Sequence, residues 1–195
     1  MPAKDRKDAT MATYRERAWE IAVSQHGYIT TQDAVSAGIP AIELAKIAAR
    51  GRLQHIARGL YRFNELLPTK FSQCYEAVLR VGGDAHLVGD AVLALHDLAL
   101  VNPRSIRIGT SKRIRNILPD WITPQVSNEP IGELQLFQLI PCSPVARAIR
   151  EARPYVMKER LIGCLPKAVY DGLLDEREAR HLEIELRENH YERTQ

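Results

Sequence analysis

Apolar residues recur with a helical period from Tyr14 to His26, where Ala18, Trp19, Ile21, Ala22 and Val23 make the stripe and Gly27 supplies a C-cap. The first ten residues are charged and small and read as a frayed tail ahead of this helix. Thr30 with Asp33 three positions on predicts a capping box opening a short helix to Ala37, which Gly38 ends. Ile39-Pro40 then starts a third helix with Leu44, Ile47 and Ala48 turned inward, closed by Gly51. Beyond it the pattern becomes strand-like through Leu53 and Ile56, turns at Arg58-Gly59, and resumes over Leu60, Tyr61, Arg62 and Phe63.

Helix, short helix, helix and β-hairpin within about fifty residues is the order of a winged helix-turn-helix, whose third helix enters the major groove of duplex DNA. In that reading Ala41, Glu43, Lys46 and Arg50 form the outward set of the third helix, with Lys46 and Arg50 within reach of bases. Arg52, His55, Arg58 and Arg62 on the hairpin reach flanking phosphates or the minor groove. A protein-binding module of the same shape is the alternative on local pattern alone.

The second half alternates differently. Thr69 to Val81 and Leu87 to Leu98 read as helices, Ser105 to Thr110, Trp121 to Ser127 and Glu133 to Ile140 as strands. Pro144 to Ala152, Val156 to Leu174 and Glu176 to Asn189 read as helices again, the last opened by Asp175 as N-cap. The expected class is α+β: a winged helix-turn-helix over residues 1–66 and a mixed α+β domain over 67–195, with Pro68 at the boundary.

The chain has 195 residues, a net charge of +3 and ordinary globular proportions of apolar and charged residues, which excludes wholesale disorder. Its positive charge is concentrated in two places. Pro40 to Phe63 carries Lys46, Arg50, Arg52, Arg58 and Arg62 against Glu43 alone, and between Asp97 and Asp120 stand Arg104, Arg107, Lys112, Arg113 and Arg115 with no acid. Two such segments point to a polyanionic partner, with a solvated loop as the plain alternative for the second. No apolar run approaches the roughly 20 residues a bilayer needs, and the N-terminus lacks the apolar segment of a signal peptide, so no membrane partner and a cytoplasmic location are expected. Cys74, Cys142 and Cys164 are odd in number and without CxxC spacing, as expected of buried thiols in a reducing compartment.

Catalytic patterns are incomplete. His86, Asp90 and Asp97 share a helical face at spacings suited to a metal, but caps and polar core contacts account for them more simply. Asp120 with Glu133 and Gln135 approximates the carboxylates of metal-dependent nucleases, except that Gln135 stands where a lysine would assist. Gly109-Thr110-Ser111 has the look of a phosphate loop without the paired carboxylates to hold Mg²⁺, and no GxGxxG or Walker sequence is present. The expectation is a protein that is not an enzyme and takes no cofactor or metal. The alternatives are a nucleic-acid-processing enzyme with a winged-helix targeting domain and a stand-alone regulator responding to a ligand in the second half.

Gly27-Tyr28-Ile29-Thr30-Thr31, Asp33, Gly38-Ile39, the run LAKIAARGRL from Leu44 to Leu53 and RGLYR from Arg58 to Arg62 resemble the winged-helix domain of AbiEi-type antitoxins from bacterial type IV toxin-antitoxin operons. HLVGDAVLALHDL from His86 to Leu98, then Pro103 and SIRIGT from Ser105 to Thr110, is similar to that family's second block, and SPVAR from Ser143 to Arg147 to a later step. The resemblance implies a transcriptional regulator that binds double-stranded operator DNA, represses its own operon and counteracts a cognate, nucleotidyltransferase-like toxin. On it, Lys112, Arg113 and Arg115 are either a further DNA contact or part of the surface that opposes the toxin.

Overall fold

A computed structural model describes residues 3–114, 117–128 and 130–188, which fall into two compact units, Met1–Arg80 and Val81–Gln195. The first unit contains α1 (Ala3–Ser24), β1 (Tyr28–Thr30), α2 (Thr31–Ser36), α3 (Ala41–Ala49), β2 (Leu53–Ala57), β3 (Leu60–Phe63) and α4 (Ser72–Val81). Helix α1 begins at Ala3, so most of the expected frayed tail is helical; neither Gly nor Pro interrupts Ala3–Ser24. Thr30 caps α2 as its spacing predicts: its Oγ1 accepts from Asp33 N at 3.0 Å, and its own N–H donates to Asp33 Oδ2 at 2.9 Å.

The three strands pair antiparallel in the order β1-β3-β2, with Ile29 opposite Tyr61 and Leu53 opposite Phe63. Period-two alternation then gives the sheet two faces. Ile29, Leu53 and Phe63 join Ala18, Ala22, Ala34, Ile39, Leu44 and Ile47 in one buried cluster, with Trp19 edge-on to Phe63 at 5.1 Å between ring centroids. The other face presents Tyr28 and Arg62, which are register partners. Against it lies α4: Tyr28 Oη donates to Glu76 Oε2 at 2.6 Å, and Glu76 is also held by Arg80. That contact joins α4 to the first unit, which runs to Arg80. The wing is a two-residue turn at Arg58-Gly59. Gly59 adopts φ +70°, and its carbonyl accepts from Thr31 N at 2.8 Å, which ties the turn to the start of α2. Element order and sheet are those of a winged helix-turn-helix.

The second unit holds β4 (His86–Leu87), α5 (Asp90–Leu95), β5 (Ile106–Thr110), β6 (Ile122–Val126), a 3-10 turn at Ile131–Glu133, β7 (Gln135–Phe137), β8 (Ile140–Cys142), α6 (Val145–Glu151), α7 (Lys158–Tyr170) and α8 (Glu176–Glu188). Its five strands run in the order β6-β5-β4-β8-β7; β5–β6 and β4–β8 are parallel, β4–β5 and β7–β8 antiparallel. Leu87, Leu93, Leu98, Ile108, Ile140, Ile149, Leu161 and Leu182 are fully buried. The chain is α+β throughout.

Three expectations for this half are corrected. The helix placed over Leu87 to Leu98 gives Leu87 to β4, starts only at Asp90 and ends at Leu95. The single strand over Glu133 to Ile140 is a hairpin, because Gln138 and Leu139 take left-handed φ of 51° and 64° and reverse the chain. The helix over Val156 to Leu174 is shorter at both ends, and Asn189 lies outside the described residues. Gly109 owes its place to packing: a Cβ there would meet His86 Nε2 at 2.6 Å, Val88 Cγ1 at 2.8 Å and Ser127 Cβ at 2.9 Å. No helix among the described residues is long and apolar enough to cross a membrane.

Candidate nucleic-acid interface

Helix α3 buries Leu44 and Ile47 and exposes Ala41, Ile42, Ala45, Lys46, Ala49 and Arg50. Three and four residues apart, these last make one side of the helix. Small side chains let a helix approach base edges closely, and the two cations stand at its later turns. Ile42, more than half exposed, and Ala45 belong to this face although sequence reasoning passed over them; Ala45 stands four residues after Ala41 and Ile42 four before Lys46, and that spacing carried the signal.

Glu43 is a correction. Its side chain is only 12% exposed and lies with the Leu44–Ile47 stripe, so it leaves the outward set, and its Oε1 accepts from Lys46 Nζ at 2.7 Å. The one acid expected on the outward face is therefore mostly buried, and it holds Lys46 by a pair at the helix surface.

The hairpin cations divide. Arg58 sits exposed in the turn itself. Arg52 is exposed on the approach to β2 with its Nη1 3.5 Å from Glu65, which also takes Arg15 Nη2 at 3.0 Å. His55 is exposed on β2, its ring 5.1 Å from that of Tyr61. Arg62 is different: it donates from Nη2 to the Leu66 carbonyl at 2.8 Å, its guanidinium lies 5.9 Å from the centre of the Tyr28 ring, and its Nε is buried. On the α4 side of the sheet it ties strand to loop, away from the exposed turn that carries Arg58. Tyr28 beside it has its phenol pushed well above the usual range by burial and by its bond to Glu76.

Lys112 and Arg113 are exposed in the second unit, just past the end of β5; Arg115 lies outside the described residues.

The enzyme-like residues do not converge. His86 is in β4, buried, its Nδ1 2.9 Å from the Asp84 carbonyl and its Nε2 3.2 Å from Ser127 Oγ. Asp90 pairs with Arg107 at 2.9 Å, while Asp97 is exposed with a left-handed φ. Thr110 and Ser111 turn their hydroxyls to Asp84, which accepts from both at 2.5 Å and from Ser111 N at 2.9 Å. These bonds hold the Asp84 carboxyl well below the usual carboxylate range and occupy the would-be phosphate loop. Among the described residues no group of three or more His, Cys, Asp or Glu is placed to hold a metal ion. Cys142 and Cys164 are buried and Cys74 partly so; burial pushes the thiols of Cys74 and Cys164 up to about 11.

No curated protein matches this sequence. The stretch from mid-α1 through β3, residues 16–64, which carries α2, α3 and the wing, matches the model of the family described as transcriptional regulator, AbiEi antitoxin.

Proposed function

We propose that the protein is a DNA-binding antitoxin that represses its own toxin-antitoxin operon, with α3 in the major groove and the wing on the neighbouring backbone. One observation carries the reading: within the stretch that matches the antitoxin regulators, α3 turns Ala41, Ala45, Ala49, Lys46 and Arg50 outward while the wing offers Arg58. Lys46 and Arg50 contact base edges; Arg52, His55 and Arg58 contact phosphate. The second unit supplies antagonism of the toxin, and Lys112, Arg113 and Arg115 belong to it. No catalytic step is assigned.

Footprinting on the DNA upstream of the protein's own gene tests this. Lys46→Ala and Arg50→Ala shift base preference, whereas Arg58→Ala weakens binding to all duplexes alike. In cells carrying the cognate toxin, Lys46→Ala/Arg58→Ala derepresses the promoter and still protects. Equal affinity of the unaltered protein for upstream and unrelated DNA refutes operator recognition; loss of protection in the double variant refutes the division between the units.

A further inference from the structure

In the second unit a cleft of about 400 Å³ opens between the loop after α5, the start of β5 and the loop before α7. Arg104, Arg107 and Arg160 line it, and among the described residues Asp90 is the one acid in its lining. The Asp90–Arg107 pair forms the floor, 2.9 Å apart with side chains 8% and 18% exposed, and cancels its own charge. Arg104 and Arg160, both exposed, add two further positive charges at the rim, and no second acid stands among the described lining residues. Arg160 also donates from Nη1 to the Leu100 carbonyl at 3.2 Å. It so pins a loop in which Asp97, Ala99 and Leu100 all hold left-handed φ, a conformation that non-glycine residues keep only when their surroundings enforce it.

The facing side is aromatic and apolar. Tyr155 and Met157 are more than half exposed there, and the Arg107 guanidinium lies 3.5 Å from the centre of the Tyr155 ring, which holds the ring in place. A cationic wall and a flat apolar wall in one cleft match a ligand with an anionic head and a planar body. The volume is that of a small-molecule site. A phosphate monoester carries nearly two negative charges at neutral pH, which equals the excess at the rim.

We infer that this cleft binds a small organic phosphate with an aromatic body, the chemistry of a mononucleotide. The phosphate sits between Arg104 and Arg160 with Arg107 behind it, and the ring lies against Tyr155 and Met157. This site stands apart from the DNA-binding reading and does not depend on it.

Isothermal titration of the full chain with AMP, inorganic phosphate and adenosine tests the inference. AMP is expected to bind more tightly than phosphate, and adenosine least. Arg104→Ala and Arg160→Ala each raise the Kd for AMP about tenfold, and Arg160→Lys, which keeps the charge without the fork, loses less than Arg160→Ala. Tyr155→Ala brings AMP down towards the affinity of phosphate. Lys46→Ala/Arg58→Ala leaves AMP binding unchanged, with circular dichroism confirming that each variant is folded. No AMP binding at millimolar concentration, equal binding of AMP and phosphate, undiminished binding in folded Arg104→Ala/Arg160→Ala, or loss of binding in Lys46→Ala/Arg58→Ala each overturns it.

Discussion

Arg58 and Arg62 lie four residues apart in one hairpin, and their replacement by alanine should have opposite effects. Arg62 donates a charged hydrogen bond to the Leu66 carbonyl and stacks over Tyr28 while half-buried. A charge-assisted bond of this kind contributes about 1.5 kcal/mol and the ring contact about 0.5 kcal/mol, with the buried Nε offsetting part of it. Arg62→Ala should therefore destabilise the first unit by about 1.5 kcal/mol, lowering its Tm by roughly 6–12 °C for a unit of this size. Arg58, exposed in the turn, should leave the Tm unchanged. In DNA binding the roles reverse. If Arg52 and Arg58 each neutralise one phosphate, log K falls against log salt with a slope of about −1.8, or roughly 12-fold in affinity between 50 and 200 mM salt. Arg58→Ala reduces the slope to about −0.9 and the loss to roughly 3.5-fold, while Arg62→Ala keeps the full slope at temperatures where it is folded. Calorimetry with amide exchange at Tyr28–Thr30 and Leu60–Phe63 reads the first quantity, and fluorescence anisotropy on a labelled duplex the second. A lower slope in Arg62→Ala with an unchanged Tm would refute the inward placement of Arg62, and an unchanged slope in Arg58→Ala would take the wing off the phosphates.

Two further outcomes follow from the second unit. Gly109→Ala should cost about 1–3 kcal/mol by forcing a methyl group onto His86, Val88 and Ser127, read as a lower midpoint in urea; an unchanged midpoint would mean that β4 and β5 do not approach as described. His96 is buried against Phe137, and burial, with Lys167 nearby, holds its imidazole below its ordinary value against the opposing pull of Asp171 and Asp97. The folded state thus takes up its proton later than the unfolded chain, so stability is complete above about pH 6.5 and declines as pH falls below it; His96→Gln should flatten ΔG of unfolding between pH 6.5 and 5, and an undiminished slope would assign the proton elsewhere.

The first unit was largely legible because its signals are local. The Thr30–Asp33 capping box needs four residues, the Arg58-Gly59 turn needs two, and the Leu44–Ile47 stripe needs one turn of helix. Glu43 was readable too: it stands four residues before Ile47, on the stripe that goes inward. Arg62 was not, since its side of β3 is covered by α4, an element beginning ten residues later whose position no period in the hairpin reveals. In the second unit β4 has two residues, too few for any period, and the β7–β8 turn uses Gln138 and Leu139 where left-handed backbone normally brings Gly or Asn.

Charge shows the limit of linear reading most clearly. Arg104 to Arg115 looks like one basic patch, yet β5, a strand of five residues about 17 Å long, runs between Arg104 and Lys112. Arg104 and Arg107 at one end face the cleft with Asp90, whereas Lys112 and Arg113 emerge beyond the other end into solvent. The acid that partners Arg107 lies outside the basic stretch, before the loop that precedes β5, so counting charges along the segment hides both the compensation at the cleft floor and the excess at its rim. Two groups of cations that far apart, one recessed and one exposed, cannot share a single small anion, and replacing either should leave the other's partner bound.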